Sequence, residues 1–463
     1  MDMILKKDCK MEAPDMLLEF RFQNYKSFLD EATLSMTAAP KQKGLDYSLF
    51  VKKHKGKEIK ALCSSVIYGS NAAGKTTVIG AMDTFRSIVM RGNIRNVEDS
   101  NSPNLASTKL EFIPNNTLAE SKPVRFAIDF LIDKYRIQYN LALDLGTFLD
   151  SQYKRRVVEE KLFINDYLTF ERIDYPDMKA VTLNVNANRD VLSMFSDAAK
   201  KDSASAEMIA IDGMDREELF LTNGFKLIFS QKLSKLVTDW FANQLIVIYC
   251  TDPAYLEHRF SEPKQNSSYV SDTINEAVKL FGVNANPLDY QARGRDEKAK
   301  LVSLVKSGIG NVKTLPAEAY ESFGTLRFIN LFPFVMRALE TGATLVVDEF
   351  DSSIHPVVLL NIINLFHNDE VNTKHAQLIF NTHDTDFLNA NMVRRDEIKF
   401  VDRDAKTHYS TLFTLSDFGT SGENAVRKSE DFRTRYLEGL YGGIAEADFS
   451  PLFEKRVPSG GEV

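Results

Sequence analysis

Alternation of apolar and polar residues marks the first part of the chain. Leu17 to Phe22 and Ala32 to Met36 alternate on either side of the polar segment Asn24 to Phe28, which predicts two strands joined by a turn. Three later alternating runs predict an antiparallel meander with one solvent-facing side: Val124 to Ile132, Tyr135 to Leu143 and Val157 to Phe163. The chain therefore begins with β-structure.

Other segments have a different periodicity. The apolar run Ser65 to Tyr68 stops at Gly69, and helical spacing of apolar residues begins at Thr76, so strand, glycine loop and helix are predicted in that order. Ser322 to Asp386 alternates helix, buried strand, helix and strand, which is typical of a mostly parallel sheet. Between these regions, residues 167–308 show helical periodicities separated by Asn, Ser and Pro clusters, which predicts a compact helical insertion.

Composition adds two exclusions to this pattern. The 463 residues are 44% apolar and 26% charged, as in an ordinary folded protein. No apolar run approaches the roughly 18 to 20 residues of a membrane span, so no membrane partner is expected. Cys9, Cys63 and Cys250 form no C-x-x-C pair, and they predict reduced thiols in a cytoplasmic protein.

The formal net charge of −7 disfavours a general affinity for nucleic acid. Contact with nucleic acid would require a local basic patch, and the lysines between Lys52 and Lys60 are the candidate. No aromatic residues interleave these lysines, so a solvated hairpin is the favoured interpretation.

One segment matches the phosphate-binding pattern G-x-x-x-x-G-K-[ST] at every fixed position, between a predicted strand and a predicted helix. In such a loop, backbone amides and the positive end of the helix dipole point at a polyphosphate. Lys75 would reach the β- and γ-phosphates, and the Thr76 hydroxyl would ligate Mg²⁺. The flanking elements disfavour the alternative, a glycine turn that carries a lysine by chance. The predicted nucleotide-binding residues of this segment are Gly69, Ser70, Asn71, Ala72, Ala73, Gly74, Lys75, Thr76 and Thr77.

Two carboxylates follow a buried strand later in the chain. Ala343 to Val347 is apolar throughout and ends at Asp348 and Glu349, at the strand end where ligands bind in an open α/β sheet. Asp348 would then hold Mg²⁺ through its water shell, and Glu349 would orient or deprotonate the attacking water. A solvated acidic loop is the alternative, which the preceding apolar strand disfavours.

A second short strand, Leu378 to Phe380, is followed by His383. A lone histidine at a strand end is more often a hydrogen-bonded structural residue than a catalytic one. The residues by themselves leave both roles open.

Taken in order, and together with Glu321 to Thr325, these pieces resemble the ABC-type ATPase head of the SMC and RecF superfamily. The resemblance implies ATP and Mg²⁺ as cofactors, ATPase activity, and a head-to-tail dimer in which a signature helix completes the partner's site. It implies the following roles: Ser322, Gly324 and Thr325 as signature residues, Asp351 as the D-loop aspartate, His383 as a γ-phosphate sensor, and Lys26 and Ser27 as nucleotide contacts of the N-terminal strand motif.

More narrowly, the chain is similar to the AAA_15 group, including the RloA and AbiLi abortive-infection proteins, and more distantly to PARIS, Septu and OLD-type ATPase subunits. Asp348 to Pro356 and the tail from Arg427 to Ile444 carry this similarity. Two departures stand out. The signature is S-F-G-T instead of S-G-G-Q, with Phe323 at its second position, and no Q-loop glutamine is found between Arg91 and Lys122.

The predicted fold is an α/β ABC-ATPase head, with a P-loop mixed or parallel sheet and an antiparallel β-subdomain, split by the compact helical insertion. The insertion is either a stiffening lid or a surface for a partner. The predicted domains are an N-terminal extension (1–15, with Met16 as an alternative start), an N-lobe (16–166), the insertion (167–308), a C-lobe (309–420) and a tail packed on the head (421–463).

Two functions of different classes fit these observations. The first is a regulatory or sensor ATPase of an anti-phage, abortive-infection system that controls a separate effector such as a TOPRIM-like or HNH nuclease. The second is a RecF-like repair ATPase acting directly on DNA. The first is favoured because there is no long coiled-coil arm, no basic net charge and no aromatic–basic groove. A nuclease site within the chain is a weaker option, since no D-x-D or H-x-H cluster lies outside the ATPase motifs.

Overall fold

The computed structural model describes most of the chain between Asp15 and Ser450. The described residues are 15–40, 42, 44–95, 112–118, 120–148, 153–249, 272–280, 286–291, 300–306, 308, 310–418, 430–444 and 450. The predicted N-terminal extension therefore lies outside them except for Asp15, as do Cys9 and Cys250.

The described residues form the following strands and helices. The strands are β1 Met16–Gln23, β2 Ala32–Ser35, β3 Leu49–His54, β4 Lys57–Leu62, β5 Ser64–Tyr68, β6 Val124–Ile132, β7 Tyr135–Asp144, β8 Arg156–Ile164, β9 Tyr167–Tyr175, β10 Met178–Leu183, β11 Leu245–Ile248, β12 Leu288–Gln291, β13 Lys300–Lys306, β14 Val312–Pro316, β15 Thr344–Val347, β16 Gln377–Asn381, β17 Ile398–Arg403 and β18 Ser410–Thr414. The α-helices are α1 Lys75–Arg91, α2 Asp197–Lys201, α3 Ser203–Asp212, α4 Gln231–Asn243, α5 Asp272–Leu280, α6 Ala317–Tyr320, α7 Phe323–Thr341, α8 Pro356–His367 and α9 Phe432–Leu437. A π-helical turn, Phe225–Phe229, precedes α4.

An antiparallel sheet forms one layer, in the order β10-β9-β8-β7-β6-β1-β2. Its apolar face packs on helices α1 and α4. Phe85 of α1 stacks on Phe126 and Tyr139, with ring centroids 5.5 and 5.8 Å apart. Trp240 of α4 stacks on Phe130. These aromatic contacts hold the helix that follows the glycine loop against the sheet.

A second sheet has the order β11-β15-β16-β5-β17-β18, and all neighbours in it are parallel except β17 and β18. Every residue of β5, β15 and β16 is buried, as expected for parallel strands covered on both faces. The pairing sets Val347 beside Phe380, Asn381 beside Ile67 and Phe400 beside Tyr68. The carboxyl ends of four strands therefore meet at one edge.

The buried side chain of Gln377 joins the two sheets. Its Oε1 accepts a hydrogen bond from the Leu17 amide (2.7 Å), and its Nε2 donates to the carbonyl oxygens of Leu17 (3.1 Å) and Leu62 (2.8 Å). Because buried polar groups need partners, this side chain fixes β1 at the start of β16.

The predicted α/β class, with a mixed sheet around the glycine loop and a separate antiparallel sheet, is confirmed. The structure differs from the predicted helical insertion at both ends of residues 167–308. Strands β9 and β10 extend the antiparallel sheet, and β13 pairs with β12 on one side and with β14 on the other. The physical reason at the first boundary is that β9 covers the edge of β8, which would otherwise expose unpaired backbone groups. Helices α2 to α5 lie between these strands.

Among the described residues, no helix combines the length and the apolar character that a bilayer crossing requires.

Candidate nucleotide-binding site

The glycine loop leaves the sheet at the end of β5 and turns directly into α1. A side chain at Gly69 would place Cβ 2.4 Å from the Val401 carbonyl oxygen, so the close approach of β17 requires glycine there. Gly74 has a φ of 116°, and a Cβ would lie about 3 Å from the Ser27 and Ser410 hydroxyls. The loop is therefore enclosed by the N-terminal turn on one side and by strands β17 and β18 on the other.

Lys75 lies inside this loop. Its Nζ donates to the carbonyl oxygens of Gly69 (2.8 Å) and Ser70 (3.0 Å), so the ammonium group closes the loop from within. Burial lowers the pKa of Lys75, and the carboxylates of Asp351, Asp348 and Glu349 oppose that shift. The positive charge is thus held beside three acidic side chains that the sequence places more than 270 positions later.

Asn381 organises the acidic end of β15. Its Nδ2 donates to Asp348 Oδ1 (2.6 Å), and its Oδ1 accepts from the Glu349 amide. Glu349 has a φ of 51°, a left-handed conformation that non-glycine residues rarely adopt. Arg327 of α7 donates to the carbonyl oxygens of both Asp348 (3.1 Å) and Glu349 (3.2 Å). One amide side chain and one guanidinium therefore hold the two predicted acidic residues in place.

His383 and Asp351 are neighbours in space. The His383 backbone amide donates to Asp351 Oδ2 at 2.9 Å, which ties the end of β16 to the turn after Glu349. The predicted γ-phosphate sensor and the predicted D-loop aspartate thus belong to one arrangement, although the sequence separates them by thirty-two positions.

The N-terminal turn, Asn24 to Phe28, also lies beside the glycine loop. Ser410 donates from its hydroxyl to Ser27 Oγ (2.8 Å) and from its amide to the Ser27 carbonyl (2.9 Å). Lys26 Nζ donates to the Tyr249 hydroxyl at 3.2 Å, and its charge lies over the rings of Tyr25 and Tyr249.

These elements enclose a cavity of about 390 Å³, which is within the range of small-ligand pockets. Eleven predicted site residues line it: Lys26, Ser27, Ser70, Asn71, Ala72, Gly74, Lys75, Thr76, Thr77, Glu349 and His383. The other predicted residues do not line it, and they divide into two groups. The first group is adjacent to lining residues in the sequence or hydrogen-bonded to them, and it consists of Gly69, Ala73, Asp348 and Asp351. The second group lies at the start of α7 and consists of Ser322, Gly324 and Thr325.

The start of α7 has its own geometry. Ser322 is the N-cap, and its Oγ accepts from the Thr325 amide at 3.1 Å. A Cβ on Gly324 would lie 2.4 Å from the Ser353 carbonyl oxygen, so this turn packs closely on the loop after Asp351. Phe323, between them, is 78% exposed.

Sequence reasoning missed two lining residues, Asn381 and Arg403. Arg403 ends β17 and donates to the carbonyl oxygens of Ala72 (3.3 Å) and His408 (3.0 Å), so it adds a positive charge beside the loop. The signal for Asn381 was its place between a strand and His383. For Arg403 the signal was a basic residue two positions after the apolar pair Phe400 and Val401.

The donor set fits a magnesium nucleotide. Glycine amides, the Lys75 ammonium and the Arg403 guanidinium would hold phosphate oxygens, which favour charged donors and helix N-termini. The Thr76 hydroxyl and the Asp348 carboxylate are hard oxygen ligands of the kind Mg²⁺ takes, and Asp348 is only 7% exposed.

Comparison with known proteins identifies a matching family, and the solved structures that match include an SMC head and RecF. A family model described as AAA domain, putative AbiEii toxin, Type IV TA system (AAA_21) matches residues 64–389. No curated protein matches the sequence. The chain is similar to the SMC head domain from Thermotoga maritima, at 13% identity and a TM-score of 0.33, over 86% of this chain and 98% of that one. It is also similar to the recombination mediator protein RecF-ATP in the RecFOR pathway, at 11% identity and a TM-score of 0.29, over 82% and 95% of the two chains.

TM-scores of this size support no argument about activity. The family match spans well over half of the chain and includes the glycine loop, Asp348, Glu349 and His383. The narrower predicted resemblance to the AAA_15 group, RloA and AbiLi is not confirmed by these comparisons and stays a prediction.

Asn381→Leu tests the hydrogen-bond bridge at the acidic strand end. The variant keeps the branched shape and the number of side-chain heavy atoms but removes the donor to Asp348 and the acceptor of the Glu349 amide, so we expect the free energy of unfolding to fall by about 2 to 4 kcal/mol. Urea denaturation measures the loss. Thr382→Val is the matched control, because Thr382 is equally buried and its hydroxyl accepts only from Asp384 among the described contacts. Equal losses in the two variants would contradict the bridge.

Proposed function

This chain belongs to the AAA-domain family described as putative AbiEii toxin, Type IV TA system, and on that premise we propose that it binds ATP with Mg²⁺ and hydrolyses it. The observation that carries the proposal is the cavity itself. Lys75, Thr76, Glu349 and His383 come from three separate parts of the chain and line one pocket of nucleotide-binding character.

Each residue has a role that follows from its position. When bound, ATP would supply the transferable γ-phosphoryl group, and Mg²⁺ would neutralise part of the phosphate charge. The loop amides and Lys75 hold the phosphates and stabilise charge that develops on them. Glu349 orients a water molecule and accepts its proton as the water oxygen attacks phosphorus and ADP leaves. His383 would contact the γ-phosphate from the neighbouring strand end.

Two variants test nucleotide binding and hydrolysis separately. Lys75→Ala removes a buried cation and should weaken ATP binding by about 10- to 150-fold, the value of a charged hydrogen bond. Glu349→Gln keeps the side-chain volume, and we expect affinity within about threefold of wild type and turnover lowered by about 10² to 10⁴. Titration with a fluorescent ATP analogue and phosphate release measure the two quantities.

Lys53→Ala is the control, since Lys53 is exposed on strand β3. Wild-type affinity in Lys75→Ala would show that the loop does not hold the phosphates. Normal turnover in Glu349→Gln would remove Glu349 from the reaction.

We further propose that two copies of the chain pair head to tail, with Ser322 and Gly324 completing the partner's site. Two observations support this. The signature residues lie outside the cavity formed by the described part of the chain. Beside them, apolar side chains are exposed along β14, α6 and the start of α7, namely Val312, Leu315, Tyr320 and Phe323. A surface of this kind favours association.

Mixing two inactive variants tests the pairing. Ser322→Asp keeps a good N-cap for α7 but brings a negative charge toward the partner's phosphates, and Ser322→Asn is the neutral control with the same capping ability. A mixed dimer of Lys75→Ala and Ser322→Asp chains has one site with both defects and one with neither, so we expect up to half of wild-type ATPase activity per mixed dimer. Each variant alone should be inactive. A verified mixed dimer with no recovery would contradict completion in trans.

At the level of biological role, we propose a regulatory or sensor ATPase of an anti-phage, abortive-infection system that controls a separate effector docked on residues 167–308 or on the tail. The family description names a toxin of a toxin–antitoxin system, which is compatible with this role. The net charge of −7 supports it over direct action on DNA.

Among the described residues, no accessible cluster of metal-ligating side chains suggests a separate nuclease site. Among them, the group of three or more side chains that could ligate a metal consists of Cys63, His367 and Glu397, and all three are buried. Ser64 and the Arg394 amide already occupy the oxygens of Glu397. A nucleic acid could not reach this group.

Affinity for the effector should depend on the nucleotide state. ATP can shift the equilibrium between two conformations only by its differential affinity for them. The affinity of the chain for its effector, taken as the product of the adjacent gene, should therefore differ at least about fivefold between Lys75→Ala and Glu349→Gln in the presence of ATP. Biolayer interferometry with both purified proteins measures it. Equal affinities, or DNA or RNA cleavage by the purified chain alone, would contradict the regulatory role.

A further inference from the structure

The C-terminal motif Arg435-Tyr436-Leu437-Glu438-Gly439-Leu440-Tyr441-Gly442-Gly443-Ile444 has no part in the proposed chemistry. Its described residues nevertheless lie against the beginning of the glycine loop. We call residues 430–444 the C-terminal segment, which contains helix α9.

Aromatic packing fixes the C-terminal segment beneath the loop. Tyr436 stacks on Phe400 of β17, with centroids 5.4 Å apart and planes at 25°, and its centroid lies 5.6 Å from that of Tyr68. Tyr68 is the last residue of β5 and directly precedes Gly69. Tyr441 packs on Phe400 as well, at 5.5 Å. The ring of Tyr436 is therefore part of the same buried layer as the strand that carries the loop.

The Tyr436 hydroxyl holds the end of the C-terminal segment beside the loop. It donates to the Gly443 carbonyl oxygen at 3.3 Å, and Gly443 lies directly against Gly69. Burial raises the pKa of Tyr436 to about 12, so the hydroxyl stays protonated and this bond persists at neutral pH. One side-chain hydrogen bond thus keeps Gly443 next to the first residue of the loop.

Gly443 makes the contact closer still. Its amide donates to Asp402 Oδ1 at 3.1 Å, and a Cβ there would lie 3.3 Å from both Gly69 Cα and the Val401 carbonyl oxygen. Its φ is 71°, which favours glycine. Gly439 has almost the same φ, 75°, but a Cβ there meets nothing within 4 Å. The two glycines therefore share a conformation and differ in their contact with the loop.

We propose that the C-terminal segment is a structural part of the nucleotide-binding site, with Tyr436 as a positioning residue that acts through Gly443 to hold Gly69 in the phosphate-binding conformation. The proposal rests on ATP binding as proposed above. Because coupling between two sites is reciprocal, a nucleotide held by the loop also stabilises the docked C-terminal segment, so nucleotide occupancy is transmitted to the tail.

Two matched pairs of variants test the proposal. Tyr436→Phe keeps the ring and removes the hydroxyl, and Tyr441→Phe does the same on a ring that does not contact Gly69 in the described structure. We expect Tyr436→Phe to raise both the Kd for ATP and the KM about 3- to 10-fold, the value of one hydrogen bond, with kcat within twofold. Tyr441→Phe should leave Kd and KM within twofold of wild type.

Gly443→Ala and Gly439→Ala form the second pair. Both introduce the same backbone strain, but only Gly443→Ala pushes a methyl group onto Gly69, so only this variant should weaken ATP binding. This pair decides the question if Tyr436→Phe does not fold. Thermal denaturation of all four variants checks folding.

Hydrogen–deuterium exchange of a peptide covering residues 430–444 gives a readout that a merely structural role would not move. A non-hydrolysable ATP analogue should slow exchange of this peptide in wild type and in Tyr441→Phe, and should have little effect in Tyr436→Phe. If wild type binds ATP but both pairs show equal affinities and the peptide is insensitive to nucleotide, the proposal is overturned. Failure of wild type to bind ATP would instead overturn the proposed function and this inference with it.

Discussion

Parallel pairing of β15, β16, β5 and β17 brings four strand ends to one edge of a buried sheet, and the site depends on that register. The middle of each strand is apolar, and the polar residues of the site lie where the strands end. β5 contributes the glycine loop, β15 the acidic pair, β16 Asn381 and His383, and β17 Arg403. A shift of one strand by a single residue would turn its terminal side chains to the other face of the sheet.

The motifs were predictable from the sequence because their chemistry needs particular residues at fixed spacing. The glycine loop, Asp348 with Glu349, and His383 each follow a short apolar run, and the structure brings the loop, Glu349 and His383 to one cavity. Asn381 and Arg403 were missed because their importance depends on which strand lies beside which, and sequence order does not give that. The strand order β15-β16-β5 places Asn381 between the acidic pair and the loop.

The insertion illustrates a different limit of prediction. Tyr167 to Tyr175 has charged residues at several positions, and the neighbouring helical patterns led to a helical prediction for the whole region. Yet Arg172 of β9 is fully buried, donates to the carbonyl oxygens of Asp215 and Glu218, and lies 3.9 Å from the Glu160 carboxylate. The helical periodicity of the surrounding sequence predicted helices, whereas the structure has a strand with a buried polar network that only tertiary contacts create.

The central position of β5 also determines when the site can form during synthesis of the chain. Its hydrogen-bonding neighbours are β16 and β17, which lie more than 300 positions later in the sequence. At ribosomal rates of about 5 to 20 residues per second, β5 waits roughly 15 to 60 s before either neighbour has been made. During that interval an apolar strand with two unpaired edges is exposed to other chains and to chaperones. The glycine loop, which appears early in the sequence, thus belongs to one of the last parts of the molecule to become native.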